Sequence, residues 1–557
     1  MRLLLLLVSL LPVVHAQELT PQILRPGKVD ATALAGYLER RFPAAVEKVS
    51  VSKDRVIIEG KAGDAGDDLY LADIPMDVVL DDPRRWQTLI EVKLEPCRNF
   101  KLEVPRRRQR DGREYDRLTS RWQLVRKTNE GYEPLSHARY AEWVDCRSPE
   151  LPAAKLKNKK GLGGWDHGKL PGELDELGIS AVTVNVMVHP LISLEAGPDT
   201  IPFDWQGRTY HAREKNFTNL DATFRAAQER GVMVSAILLL ANPANSADPT
   251  VRMLGHPDAV KEGTFAMPNV TSPEGLSLYG AILNFLAERW SRPDGKYGRV
   301  HHWIIHNEVD AGWVWTNAGE KSDIVYMDLY QRSMRLMDLI ARQYDPHSRS
   351  FISLTHHWAH PGDPRWYGSR RLLELLTEFT RAEGDFPWAL AYHPYPQDLF
   401  NPRTWEDEQA TFSFASHKIT PKNLEVLDAY LKQPALLYQG KVRPVHLSEN
   451  GFNSKDYSAE QLADQAAGMA LAWTKCQALS SIESWQYHNW IDNRHEGGLR
   501  IGLRKFLDEP GDPAGKKPIW FLYQALGTPE EDRAVAPFLK IIGVSSREQL
   551  IHSGVIR

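Results

Sequence analysis

From Lys159 onward the chain repeats one two-part pattern: a short, nearly continuous apolar run, then a stretch with helical spacing of apolar residues. Eight runs can be traced, "KKGLGG", "SAVTVNVMV", "VMVSAILLLAN", "VHHWIIHNE", "SFISLTHHW", "WALAYHPY", "RPVHLSENG" and "IESWQYHNW". Amphipathic segments such as "NLDATFRAAQERG", "SRRLLELLTEFTRAEG" and "SAEQLADQAAGMALAWTKCQAL" fall between them, and "KPIWFLYQALG" follows the last. A strand that is apolar on both faces belongs in a parallel sheet covered by helices, since a half-exposed strand would alternate. Eight is the number at which such a sheet closes on itself, so the pattern predicts an α/β fold, a (β/α)8 TIM barrel, over residues 156–557. An open, doubly wound sheet is the alternative that a strand count leaves.

Residues 17–155 read differently. Short segments with turn residues between them, "KVSVSKDRVIIEGKA", "DLYLADIPMDVVL", "TLIEVKLEP" and "SRWQLVRKT", predict a smaller all-β, sandwich-like domain ahead of the barrel. Within it "PRRRQRDGREYDR" is strongly basic, and its Asp111-Gly112 pair marks a hairpin tip, expected to be solvated. The domain either binds carbohydrate or braces its neighbour. Ahead of it, residues 1–16 carry Arg2, an apolar run and a small-residue site ending at Ala16, the pattern of a signal peptide. A secreted or periplasmic product cleaved near Ala16 is therefore expected, and no run is long enough for a membrane span. In an oxidising compartment Cys97 and Cys146 either pair or stay free, while Cys476 lies in an apolar helical run. A formal charge of -4 gives no global positive field for nucleic acid. The 17 tryptophans exceed what packing leads one to expect and hint at surfaces that face sugars.

In a (β/α)8 barrel the reactive groups gather at the C-terminal ends of the strands. There the fourth run ends in Asn307-Glu308, the sixth in His393-Pro394-Tyr395 and the seventh in Ser448-Glu449-Asn450-Gly451. The eighth carries Trp485, then His488 and Asn489. Glu308 and Glu449 are the candidate catalytic residues. Glycoside hydrolysis needs one carboxyl to protonate the leaving oxygen and a second to act at the anomeric carbon, and strands four and seven face each other across a barrel mouth. Either glutamate alone would be an ordinary loop carboxylate; their joint placement points to a secreted glycoside hydrolase of a poly- or oligosaccharide.

On "HNE", "HPY", "SENG" and the final "KPIWFLYQALG", the barrel half resembles glycoside hydrolase clan A, the 4/7 superfamily of retaining TIM-barrel glycosidases, as an uncharacterised family at its edge. The resemblance implies Glu308 as general acid/base and Glu449 as nucleophile. It also implies Asn307 at the sugar 2-hydroxyl, Tyr395 donating a hydrogen bond to the nucleophile, and Trp485 as the floor of the cleaved sugar's subsite. The clan's Asn-Glu-Pro is here Asn-Glu-Val, and Asn185 and Asn242 stand at strand ends where the clan often carries Arg and His.

Other candidates come from the residues alone. Trp313 and Trp315 after strand four either stack on a sugar or pack on their own protein. His393 is either a support beside Tyr395 or a substrate contact, and Asp310, Asn450, His488, Asn489, Asp492 and Arg494 lie in loops suited to recognising hydroxyls. No cofactor and no metal is expected. Two rival readings remain: a non-catalytic carbohydrate-binding barrel, and a metal-dependent TIM-barrel hydrolase built from His302, His306, His356 or His393. A serine hydrolase lacks its G-x-S-x-G elbow. The oligomeric state, the sugar and its linkage are not legible, although the long inserts after strands two and three are of a size to shape subsites.

Overall fold

The computed structural model describes residues 30–78, 88–129 and 131–557, so the expected leader lies outside the described residues. Eight parallel strands close into a barrel in chain order: β1 (Lys160–Gly163), β2 (Ala181–Met187), β3 (Met233–Leu239), β4 (His302–Ile305), β5 (Arg349–Thr355), β6 (Ala389–His393), β7 (Val445–Asn450) and β8 (Ile482–Tyr487). Seven lie within their apolar runs, and β5 starts one residue ahead of its own. All seven residues of β3 are buried, as a strand covered on both faces must be. Closure is made by β1 against β8, with Lys160 opposite Trp485, Gly161 opposite Gln486 and Leu162 opposite Tyr487. A Cβ on Gly161 would come within 2.4 Å of Gln486 Cγ, so only glycine fits at this point of the seam.

The barrel interior holds Ile237, Leu239, Ile304, Phe351, Ala389 and Ala391. Outside it, helices such as Pro273–Trp290, Asp323–Ala341 and Ala459–Ala478 cover the strands. The insert after β2 folds into a small antiparallel sheet of Ile192–Ser193, Thr200–Trp205 and Arg208–Arg213. Among the described residues no helix is long and apolar enough to cross a membrane.

The N-terminal part is two antiparallel sheets, as expected for a sandwich-like domain. One runs Ala45–Val51, Arg55–Lys61 and Asn99–Pro105, with Trp143–Val144 added in parallel; the other centres on Leu69–Pro75 and Ser120–Thr128. The basic stretch is a hairpin, Arg107–Arg110 against Arg113–Asp116, with Asp111 (φ 51°) and Gly112 (φ 75°) forming its turn. The tip itself, Asp111, Gly112 and Arg113, is exposed as expected, but the arginines behind it are tied down. Arg110 forks onto Asp77 at 2.6 and 2.7 Å, Arg108 and Arg117 both donate to buried Asp73 at 2.8 Å, and Arg106 grips Asp116 at 2.9 Å. The cause is long-range: Asp73 and Asp77 come from a strand region far back in the chain. Cys97, Cys146 and Cys476 are all free thiols, so the alternative of a Cys97–Cys146 bridge is not realised here.

This domain docks on the barrel's outer helices through buried polar groups. Glu383, at the end of helix Ser369–Glu383, accepts from Arg121 (3.4 Å), Gln331 (3.1 Å) and Tyr37 (3.3 Å). Arg332 donates to the Met76 carbonyl at 3.2 Å. Both Arg121 and Glu383 are wholly buried, so deleting one strands the other's charge. Glu383→Ala is expected to destabilise the protein by about 3–5 kcal/mol, read as a drop in thermal or urea stability. An unchanged midpoint would show that the interface does not depend on this pair.

Candidate active site

The chain leaves β4 through a strained turn. His306 (φ 62°) and Glu308 (φ 39°, ψ 63°) both adopt left-handed backbone, which non-glycine residues avoid unless the surroundings hold them there. His306 is held from outside the barrel: its ring lies 2.9 Å from Ser333 Oγ and 3.2 Å from the Leu238 carbonyl. The Glu308 amide donates to Ser353 Oγ of β5 at 3.0 Å. Two residues on, buried Asp310 accepts from the Thr355 amide (2.9 Å), Thr355 Oγ1 (2.5 Å) and Ser369 Oγ (2.8 Å). Asp310 is thus a stitch between the loop and β5 and not a sugar contact; burial pushes its carboxyl up to about 6.

These restraints aim Glu308 at the opposite strands. His393 Nδ1 of β6 lies 2.9 Å from Glu308 Oε1 and 3.9 Å from Glu449 Oε2, and its Nε2 lies 3.1 Å from Ser448 Oγ. Tyr395 donates its hydroxyl to Glu449 Oε1 at 2.8 Å. One oxygen of each glutamate and a ring nitrogen of His393 all fall within 4.8 Å of one another. The two carboxylates predicted to converge therefore do so, with His393 between them.

Charge separates their surroundings. Burial alone would raise the Glu449 carboxyl, but the imidazoles of His488 and His393 and the Tyr395 hydroxyl outweigh it and hold Glu449 below its ordinary range. Burial opposes charge on His393 as well, yet Glu449 and Glu308 raise it above the usual imidazole value. His488 behaves likewise: against burial, Glu449 and Glu496 raise it to about 9.

Of the other predicted site residues, Asn307 keeps a buried Oδ1 with no hydrogen-bond partner. His488 stands beside the pair. Trp485 does not. It is fully buried on the helix side of β8, against Trp473 and Tyr523 at ring distances of 5.7 and 5.6 Å. Strand alternation explains the correction, since Gln486 points to the barrel side at Gly161 and Trp485 must point away. Trp313 and Trp315 sit in a short helix, Gly312–Trp315, where both are half-buried; Trp313 lies under Arg365, and Trp315 packs near Phe265. Asn450 is buried and donates to the Leu447 and Gln486 carbonyls, which makes it a brace between β7 and β8. Asp492 pairs with Lys517 and Arg494 with Asp508, so both serve the loop. At the departures from the clan pattern, Asn185 is exposed, whereas Asn242 is buried and stitches its loop to the Val260 and Gly263 carbonyls.

The histidines of the metal reading are dispersed. His302 packs edge-on to His446 and tilted against Phe351 inside the barrel, His306 faces the helices, and His356 packs on His357. Among the described residues one group has metal-ligating spacing, Glu308, His393 and Glu449 themselves. Ser353 and Glu496 escaped the sequence reading, and Ser448, though part of the quoted motif, was given no role. Ser353 and Ser448 carry no signal beyond their strands, and Glu496, in the loop after β8, resembles any charged loop residue.

A family of unknown function, DUF5722, matches residues 152–550, and the chain belongs to that family. No curated protein matches it. The solved structures to which it is similar include a family 39 glycoside hydrolase from the gut symbiont Bacteroides cellulosilyticus WH2, at 14% identity and TM-score 0.44 over 88% of this chain and 83% of that one. An exo-β-1,4-mannosidase from Opitutaceae bacterium strain TAV5 is 15% identical, with TM-score 0.41 over 69% of this chain and 63% of that one. A family 1 β-glucosidase from Thermotoga maritima is 14% identical, with TM-score 0.41 over 65% and 86%.

The His488 shift makes stability depend on pH. Its folded value, about 9, exceeds the ordinary 6.5, so its contribution is complete below pH 6.5 and lost as pH rises through 9. The melting-temperature gap between wild type and His488→Gln should therefore narrow from pH 6.5 to 9. A gap that stays constant or widens would contradict the charged imidazole.

Proposed function

We propose that the protein is a glycoside hydrolase working by retaining double displacement, with Glu449 as nucleophile and Glu308 as general acid/base. The observation that carries this reading is the approach of the two carboxylates to within 4.8 Å at the mouth of the barrel. Retaining enzymes need their carboxyl groups about 5–5.5 Å apart, and inverting enzymes about 6.5–9.5 Å to admit a water. Glu449, kept ionised by His488, His393 and Tyr395, attacks the anomeric carbon while Glu308 gives its proton to the glycosidic oxygen. The leaving sugar departs with that proton, and a glycosyl ester forms on Glu449. Glu308, now a carboxylate, takes a proton from water; the water oxygen attacks the anomeric carbon and releases Glu449. His393 bridges the two carboxylates and moves with their charge as each is spent and restored.

The test is turnover of polysaccharides and aryl glycosides, with the first product resolved by proton NMR. Wild type should release sugar with retained anomeric configuration. Glu449→Gln should fall to background, and Glu308→Gln should lose about 10²- to 10⁴-fold in kcat/KM on substrates with poor leaving groups. An inverted first product, or full activity in Glu449→Gln, would exclude the mechanism.

The same three residues, Glu308, His393 and Glu449, favour one second reading, a metal-assisted hydrolase that uses them as ligands. Activity abolished by a chelator and restored by a divalent ion would select it; chelator-insensitive turnover would select the two-carboxylate mechanism.

A further inference from the structure

Between the β domain and the barrel lies an open cleft of about 230 Å³. The barrel side is formed by Asn284 and Glu288, in the second half of helix Pro273–Trp290, and by Gln343 and Tyr344, just after helix Asp323–Ala341. Barrel helices carry the chain back from the C-terminal to the N-terminal ends of the strands, so these residues lie toward the end away from Glu308 and Glu449. The β domain supplies Arg106, Arg107, Glu114 and Arg147, and the turn of the insert after β2 supplies Asp204 and Gln206. The two hairpins meet closely: a Cβ on Gly207 (φ 68°) would stand 3.1 Å from Glu114 Cβ.

No aliphatic side chain lines this cleft, and its three arginines are matched by three acids, Glu114, Asp204 and Glu288. Some of these groups are spent within the fold. Arg106 grips Asp116 and the Gln343 carboxamide, and Arg107 pairs with Glu114 and Asp116, which makes a fixed wall. Arg147 and Glu288 differ: both are exposed, and among the described residues neither side chain has a hydrogen bond or an ion pair. Arg147 is nevertheless held in place. Its amide donates to the Gln343 carbonyl at 2.7 Å, and its guanidinium lies 4.9 Å over the Tyr344 ring. Tyr344 donates to Asn284 Oδ1 at 2.8 Å, and burial together with the charge of Glu288 pushes its hydroxyl up to about 12, so it stays a donor. That bond fixes the half-buried Asn284 and leaves its Nδ2 without a partner.

We propose that this cleft is a second, non-catalytic carbohydrate site, which holds one ring of a neutral glycan with Arg147, Glu288 and Asn284 on its hydroxyls. A sugar presents neighbouring hydroxyls that both donate and accept, and planar guanidinium, carboxylate and amide groups meet such pairs two atoms at a time. A ligand that only accepts leaves Glu288 unmatched, and one that only donates leaves Arg147 unmatched; a hydroxyl pair serves both. An anionic ligand would meet the carboxylates of Glu114, Asp204 and Glu288 as well as Arg147. The volume falls short of the roughly 300 Å³ at which sites for drug-sized ligands begin, which suits a single ring, and a seam between domains is a usual place for a small-molecule site. Neither domain makes the site alone, since Arg147 comes from one and Asn284 and Glu288 from the other. The site stands apart from the hydrolytic reading and does not depend on it.

The experiment is hydrogen–deuterium exchange of the full chain carrying Glu449→Gln, so that no ligand is consumed, with β-1,4-linked tetrasaccharides of glucose, mannose, xylose and galactose, and tetragalacturonate as the acidic comparison. Sugar can also enter the barrel mouth, so the position of the protection identifies the cleft. At least one neutral tetrasaccharide should slow exchange in peptides spanning 143–150, 203–209 and 284–290. Adding Arg147→Ala or Glu288→Ala should lower the affinity read from that protection by about 10- to 100-fold, the range of a hydrogen bond to a charged group. Both side chains are exposed and unpartnered, so either variant can stand in if the other fails to fold. Protection confined to 306–310, 393–397 and 447–451, no protection of the cleft by any neutral sugar, protection indifferent to both substitutions, or stronger protection by tetragalacturonate would each overturn the proposal. Cleft protection in a protein whose wild type hydrolyses no glycoside would sustain the second site and remove the hydrolytic reading; turnover by wild type with an unprotected cleft would do the reverse.

Discussion

Closure of β1 onto β8 is the constraint on which the rest depends. A parallel sheet with free edges would leave rows of unpaired backbone groups, and joining the first strand to the eighth removes both edges at once. The seam is narrow: β1 is four residues long, and Gly161 leaves the space that Gln486 fills. It is sealed from outside by the last barrel helix, Pro518–Ala525. Tyr523 of that helix accepts from the Gly161 amide at 3.1 Å and donates to the Gly161 carbonyl, and Lys160 Nζ reaches the Tyr523 carbonyl at 3.2 Å. Once the ring is closed, β4 and β7 lie across the mouth from each other, so the meeting of Glu308 and Glu449 follows from topology before any side chain is placed.

Topology alone does not aim a carboxylate, and the structure supplies the aim by restraints on all sides of β4. The left-handed turn at His306 and Glu308 is held by groups from β3, β5 and the helix Asp323–Ala341. That same helix is where the N-terminal domain docks, through Arg332 and the network around Glu383. Bracing is thus a physical role that the β domain fulfils whatever else it binds. A helix pinned from both sides keeps Ser333, and through it His306, in place under a strained turn.

The sequence made the barrel legible because a strand buried on both faces has a composition that little else imitates. "VMVSAILLLAN" cannot be a half-exposed strand, and its core is buried throughout. The Asn-Glu and Ser-Glu-Asn-Gly contexts likewise marked the strand ends. What the pattern did not carry was side-chain direction at Trp485 and the distant partners of the hairpin arginines. Trp485 was misplaced because alternation tells which residues share a face without telling which face is inward; that needed the Gly161–Gln486 contact. Arg108 and Arg110 looked solvated because their acceptors, Asp73 and Asp77, lie on and just after another strand.

Two identical side chains can hold different roles only if their environments differ, and here the asymmetry is built from donors. Glu449 receives the Tyr395 hydroxyl and the field of two imidazoles, all of which favour its anion. Glu308 shares one imidazole, His393, and no phenol or second imidazole contacts its carboxylate among the described residues. Against burial, Glu449 and Glu308 together hold the His393 ring above the usual imidazole range. A single imidazole 2.9 Å from one carboxylate and 3.9 Å from the other thus ties the charge of the two glutamates together, so that a change on either is felt by the other.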